Sequence, residues 1–187
     1  MLAGSGGWDI AMPSTAVEGG TFATTSPYYY WPIRLVAAPG SPATTPADLS
    51  GSTICVVAGS SGAAWLDGAF RGTSATPVAQ PPSSVTVRRL ASDDACAADV
   101  AAGASKAFVT AGWGDTDLAA RPTLVRVGGP VFTEARPIIA IRGDRDPTDL
   151  VSTLDQLLAA MRADGTLTRL SQGRFGGLDL TQSPSPS

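Results

Sequence analysis

Short apolar or β-branched runs, each closed by Gly, Pro, Ser or Asp, recur along the chain and predict strands at 8–12, 31–37, 53–57, 85–89, 106–110, 123–127 and 137–142. Between them the pattern changes to helical. The clearest case is 147–163, where Leu150, Leu154, Leu157, Leu158 and Met161 recur at helical spacing, Asp146 can cap the start, Pro147 suits the first turn and Gly165 ends it. That stripe is expected to be core, not the lining of a ligand site. Strands alternating with helices predict an α/β domain with a mostly parallel sheet. The Pro/Ser/Thr-rich stretch Gly72 to Ser84 reads as an exposed loop that is mobile or leans on a neighbour, and residues 181–187 as a flexible tail.

The most informative segment is PADLSGSTICVVAGSSGAAWL, residues 46–66: a short helical entry, a buried strand, and a small-residue loop opening directly into a helix. The first N–H groups of a helix have no partner within it. The amides after Gly59, Ser60 and Ser61, with two hydroxyls beside them, therefore suit an oxygen-rich anion such as a carboxylate. Taken alone, the loop is better explained as an ordinary strand-to-helix turn with Ser60 or Ser61 as N-cap.

Composition narrows the classes. With 187 residues, 43% hydrophobic and 16% charged, the chain can bury a real core and is not of disordered type. A net charge of −3 without any Lys/Arg cluster argues against nucleic acid or an anionic surface as partner. Lys106 is the single lysine, and Arg, Ala, Gly and Pro usage suggests a GC-rich genome. Two Cys and no His exclude the usual zinc spacings, and no cofactor is called for. Cys55, in the strand TICVV, and Cys96, on the helix DDACAADVAAG, are either a disulfide between adjoining elements or two buried free thiols.

The order of segments resembles the family 3 solute-binding proteins of amino-acid ABC transporters, with the type II periplasmic-binding-protein fold. GGWDIAMPST looks like the family's "G-x-x-D-hydrophobic-ST" strand and SPYYYWPIRLVAA like its "PYY" crossover. ADLSGSTICVVAGSS is similar to its anion-loop segment, DDACAADVAAGASKAFVTAG to "ALxxGxxDAxxxD", and FTEARPIIAIRGD through GTLTRLSQGRFGGLDL to its closing strand and helices. Together these cover most of residues 6–180. The resemblance implies a two-lobed protein. Residues 1–30 and 137–180 would form a partial first lobe, 31–37 and 126–136 two hinge crossovers, and 38–125 the second lobe. A hinge of this kind traps solute by closure. It also implies that roughly the first third of a two-lobe protein of this size precedes what is present here. Family members from actinobacteria with Cys at both places favour the bridge between Cys55 and Cys96, hence an oxidising, extracytoplasmic compartment.

On this resemblance Ser14 and Thr15 match the "ST" strand end, Gly59, Ser60 and Ser61 the anion loop, and Tyr28 and Trp113 supply aromatic walls. The chain departs from the family at both charge partners. No basic residue follows Ser14 and Thr15 before Pro27-Tyr28, where the family places an Arg for the α-carboxylate, although Glu18 could meet a cation. The Asp that closes "DAxxxD" falls on Ala111 and the first Asp on Lys106, with Asp115 four residues on as a substitute. The expectation is a solute-binding protein, or a fragment of one, for a small polar ligand such as an amino acid, passing it to an ABC permease or membrane receptor. The alternative is a degenerate sensor or interaction domain of a secreted or membrane-attached protein. An enzyme such as a dehydratase is disfavoured, because without His any acid–base work falls on carboxylates with no paired spacing. An apolar stripe left uncovered by an incomplete lobe further implies a homodimer.

Overall fold

The computed structural model describes residues 9–12, 22–69, 75–77, 79–110, 115–140 and 146–182. The chain divides into two units, one continuous from Pro32 to Thr133, the other built from residues up to Trp31 together with those from Glu134 onward.

The continuous unit is organised around β4 (Thr53–Val57). Its apolar run TICVV has no polar alternation, the signature of a strand covered on both faces, and Ile54, Cys55 and Val56 are all fully buried. β4 pairs in parallel with β6 (Thr86–Leu90) on one side and β7 (Ala107–Thr110) on the other. Antiparallel to β7 runs β3 (Tyr29–Ala37), next to it β8 (Val125–Arg136), and at the edge β5 (Ala75–Pro77), giving the order β5-β8-β3-β7-β4-β6.

Two helices cover β4. On one face Cys55, its register partner Phe108 and Val36 pack against Cys96 and Val100 of α2 (Asp93–Ala101) and Leu118 of α3 (Asp115–Ala119). Cys55 and Cys96 are bridged there, with Cα atoms 5.5 Å apart. On the other face lies α1 (Ser61–Leu66). Gly62 is required for that approach, since a Cβ there would stand 2.7 Å from Val109 Cγ1. The neighbouring arginines of β6 point to opposite faces, as strand geometry demands: Arg88 pairs with Asp99 of α2 at 2.7 Å, and Arg89 with Asp67 at the end of α1 at 2.6 Å.

In the other unit β9 (Ile139–Ala140) sits between two antiparallel partners, β1 (Ile10–Ala11) and β2 (Ala23–Thr24). α4 (Thr148–Ala163) and α5 (Thr166–Arg174) pack beside them, with Ile138, Leu158 and Leu167 forming a small core under Tyr28, Leu154 and Met161. The segment before Tyr29 is tied down by polar contacts. Ser26 N–H donates to Asp155 at 2.7 Å, Thr25 exchanges bonds with the Ile138 backbone, and the Arg162 guanidinium donates to the Pro27 carbonyl.

Several expectations are corrected. The strand predicted at 123–127 starts at Val125 and continues to Arg136 as β8. Gly128, just beyond the end of the predicted strand, is a close-approach residue within β8. It has φ +68, and a Cβ would stand 2.8 Å from the Thr44 carbonyl oxygen. The loop predicted over 72–84 contains β5, and its later part is pinned by Trp65 Nε1–H donating to Ala79 O at 3.0 Å and Ala79 N–H to Val131 O at 2.9 Å. The first residue of the long helix is Thr148, with Pro147 as N-cap and Asp146 accepting from Thr148 N–H at 2.9 Å one position further out. Gly165 ends α4 in a left-handed conformation, φ +74, and directly launches α5, a helix the pattern did not predict. The stripe is only partly core: Leu158 is buried, Leu150, Leu154 and Met161 are half-buried, and Leu157 is 55% exposed.

Two outcomes follow for stability. A bridge closing a separation of 41 residues stabilises by about 4 kcal/mol on the chain-entropy model. Replacing both cysteines by alanine should cost about 2–5 kcal/mol in urea unfolding, and denatured, unreduced wild-type protein should titrate with no free thiol. The carboxyls of Asp48, Asp146, Asp164 and Asp179 are held below their ordinary value by accepted hydrogen bonds, chiefly from the Thr44 and Thr45 N–H groups and from the Thr148, Thr166 and Thr181 side chains respectively. The unfolded chain protonates these groups at higher pH than the folded one. Stability should therefore be fully present above about pH 4 and fall as pH drops through the lowered native values, with Asp48→Asn flattening part of that slope in acid titrations followed by circular dichroism.

Candidate ligand-binding site

The Gly59–Ser61 loop leaves the C-terminal end of β4, the edge at which open α/β sheets bind ligands. Gly59 turns the chain at φ +71. Ser60 N–H donates to Val57 O at 3.2 Å, and its hydroxyl oxygen accepts from Ala63 N–H at 3.2 Å, so Ser60 is the N-cap of α1. Part of the loop's donor capacity is thus spent internally. The Ser60 hydroxyl retains its own O–H to donate, and Ser60 and Ser61 are half-buried beside an exposed Gly59.

Because β4 and β7 are parallel and Val56 pairs with Val109, the chain after Thr110 departs from the same edge as that loop. Asp115, the proposed substitute carboxylate, is the first residue of α3. Trp113 lies outside the described residues, as do Ser14, Thr15 and Glu18. Lys106 sits at the other end of β7, exposed, its N–H donating to Thr53 O at 2.8 Å. The exchange of Asp for Lys at that position therefore occurs at the edge remote from the Ser60 loop. Sequence reasoning did not single out Arg34 and Thr110, register partners on β3 and β7 next to the loop's edge, 8% and 0% exposed. The signal was available: a lone Arg inside the apolar run WPIRLVAA.

Tyr28 belongs to the other unit, among packed rings. Its ring meets Tyr29 edge-on at 4.7 Å, and Phe175 stacks on Tyr29 at 6.1 Å and meets Trp31 edge-on at 5.6 Å. Burial and then the neighbouring Tyr29 push the Tyr28 hydroxyl up to about 12, so it stays a neutral donor at all physiological pH. Tyr28 lines an apolar groove of about 410 Å³ beside α4 and α5. In the same unit, Glu134 and Arg136 form an ion pair with both residues at most 2% exposed, while Arg136 Nε and Nη1 have no acceptor. Among the described residues there is no cluster able to hold a metal and no helix long and apolar enough to cross a membrane.

Solved structures similar to this chain include amino-acid-binding proteins. A mutant of ArgBP from T. maritima aligns with TM-score 0.64 and 19% identity over 90% of this chain and 69% of its own. The substrate binding protein of an amino acid ABC transporter gives 0.61 and 15% over 90% and 71%. The ancestral amino acid-binding protein AncCDT-1, a precursor of cyclohexadienyl dehydratase, gives 0.63 and 16% over 91% and 70%. No known family profile matches the sequence, and no curated protein does. The chain has the type II periplasmic-binding-protein-like α/β fold.

Removing one member of a buried pair strands the other, at about 3–5 kcal/mol, whereas apolar replacement of both is close to neutral. Glu134→Leu should destabilise by that amount and Glu134→Leu with Arg136→Met should recover most of it in chemical unfolding. Equal losses in both variants would show that the pair is not coupled.

Proposed function

We propose that the protein is an extracytoplasmic solute-binding module for a small carboxylate-bearing molecule such as an amino acid, delivering it to an ABC permease. The observation that carries this reading is the Ser60 loop at the C-terminal edge of parallel β4, on a fold whose solved neighbours include the substrate binding protein of an amino acid ABC transporter. The Gly59–Ser61 segment receives the carboxylate, Asp115 a cationic group and Trp113 an apolar one. The disulfide suits an oxidising compartment. Among the described residues this edge offers hydroxyl and amide groups beside the buried Arg34, a set suited to holding an oxygen-rich anion.

A second reading, a sensor or interaction domain in which the lobes persist as scaffold, is favoured by Ala111, which removes the family's ammonium partner. Two weakened contacts on a zwitterion, each worth about 1.5–3 kcal/mol, place common α-amino acids in the millimolar range. Calorimetry with the twenty amino acids and simple carboxylates decides between the readings. Ser60→Gly keeps the helix cap within a few tenths of a kcal/mol but removes the hydroxyl. It should weaken carboxylate binding about tenfold, equivalent to about 1.4 kcal/mol, with the melting temperature nearly unchanged. Failure of every carboxylate to bind favours the scaffold reading.

A further inference from the structure

The groove beside α4 and α5 lies wholly within the discontinuous unit and shares no residue with the Ser60 loop. Its volume of about 410 Å³ falls within the usual small-molecule range of about 300–1,000 Å³. The floor is Ile138, Leu158 and Leu167, and the walls are Tyr28 and Phe175. Leu170, also on the wall, is 58% exposed, a solvated apolar surface that a monomeric protein gains by covering.

The polar groups that reach this groove are almost all engaged. Ser171 Oγ donates to Leu178 O at 2.9 Å and accepts from Leu180 N–H at 2.8 Å. Thr181 Oγ1 donates to Asp179 at 2.6 Å, and the other oxygen of Asp179 accepts from Thr168 Oγ1 at 3.0 Å. The Tyr28 hydroxyl, pushed up to about 12 by burial, stays neutral and brings no charge to the groove. The exception is Arg174, which ends α5 exposed and whose guanidinium has no hydrogen-bond or ion-pair partner among the described residues. Among the described residues no carboxylate lines the groove. Its recognition pattern is therefore one fork-shaped cation at the wall of an otherwise apolar trough.

We propose that this groove binds a monocarboxylate with an apolar chain, the chain lying on Leu158 and Leu167 and the carboxylate meeting Arg174. A guanidinium matches both oxygens of a carboxylate, and its charge in an uncharged apolar surround selects an anionic head over an alcohol or an ammonium. The site is independent of the proposed amino-acid function, and Ser60→Gly leaves it intact.

Decanoate is the probe, titrated calorimetrically into the full chain and followed by the fluorescence of Trp31, whose ring meets Phe175. The expected result is saturable binding of one decanoate per chain, weakened about tenfold by Arg174→Gln, while decanol binds more weakly and equally to both forms. Arg169→Gln, which removes a cation of the same helix that bonds Thr166, should leave decanoate affinity unchanged. Leu170→Asp, at an exposed position that folding does not need, should abolish it. No saturable binding, or equal binding by Arg174→Gln, overturns the proposal. So does a dimer seen by light scattering that decanoate does not dissociate, since the apolar face would then be covered by a second copy of the chain.

Discussion

The burial of β4 on both faces is the constraint from which the continuous unit is built. A strand with no solvent face needs a helix on each side, and each must approach to packing distance without leaving polar backbone unpaired. Gly62 lets α1 descend onto Val56 and Val109, while on the reverse face the disulfide joins Cys55 to α2. The edge strand β6 then distributes Arg88 and Arg89 to the two helices, one to each side. With both helices fixed, the loop between β4 and α1 has little freedom left, and the position of the Ser60 hydroxyl follows from packing beneath it.

The same constraint explains what was legible in the sequence. Strands covered on both faces produce uninterrupted apolar runs, so β4 was read to the residue and β7 to within one. Long-range contacts were not legible. The predicted strand stops short of Gly128, whose close approach to the Thr44 carbonyl no local pattern shows, and β5 hides in a Pro/Thr-rich stretch because its order comes from pairing beside β8. α5 was missed because Gly165 serves as both terminator and launch point, and a terminator is all that a local reading detects.

The candidate sites divide in a similar way. The small-residue loop after an apolar strand is a local pattern, and the strand-to-helix turn it predicts is present with Ser60 as N-cap. The charge partners depend on which end of a strand a residue occupies. Lys106 and Thr110 stand at opposite ends of β7, and only the second lies at the loop's edge, a distinction that requires the parallel register of Val56 with Val109. The groove under Tyr28 could not be read at all, because its floor is assembled from Ile138, Leu158 and Leu167 and each of these looks like an ordinary core residue.

The division of the chain has a consequence for the order in which it forms. The unit from Pro32 to Thr133 is a single stretch, and its disulfide and parallel pairings all close within it. The other unit needs β9, α4 and α5, which lie beyond Glu134, before β1 and β2 have anything to pair with. During synthesis at about 5–20 residues per second, the first can be complete while the strands of the second wait several seconds for partners. Exposed early strands are sites of mispairing, and here they are two residues each, too short to template much. The brevity of β1 and β2 protects them through the interval that the topology imposes.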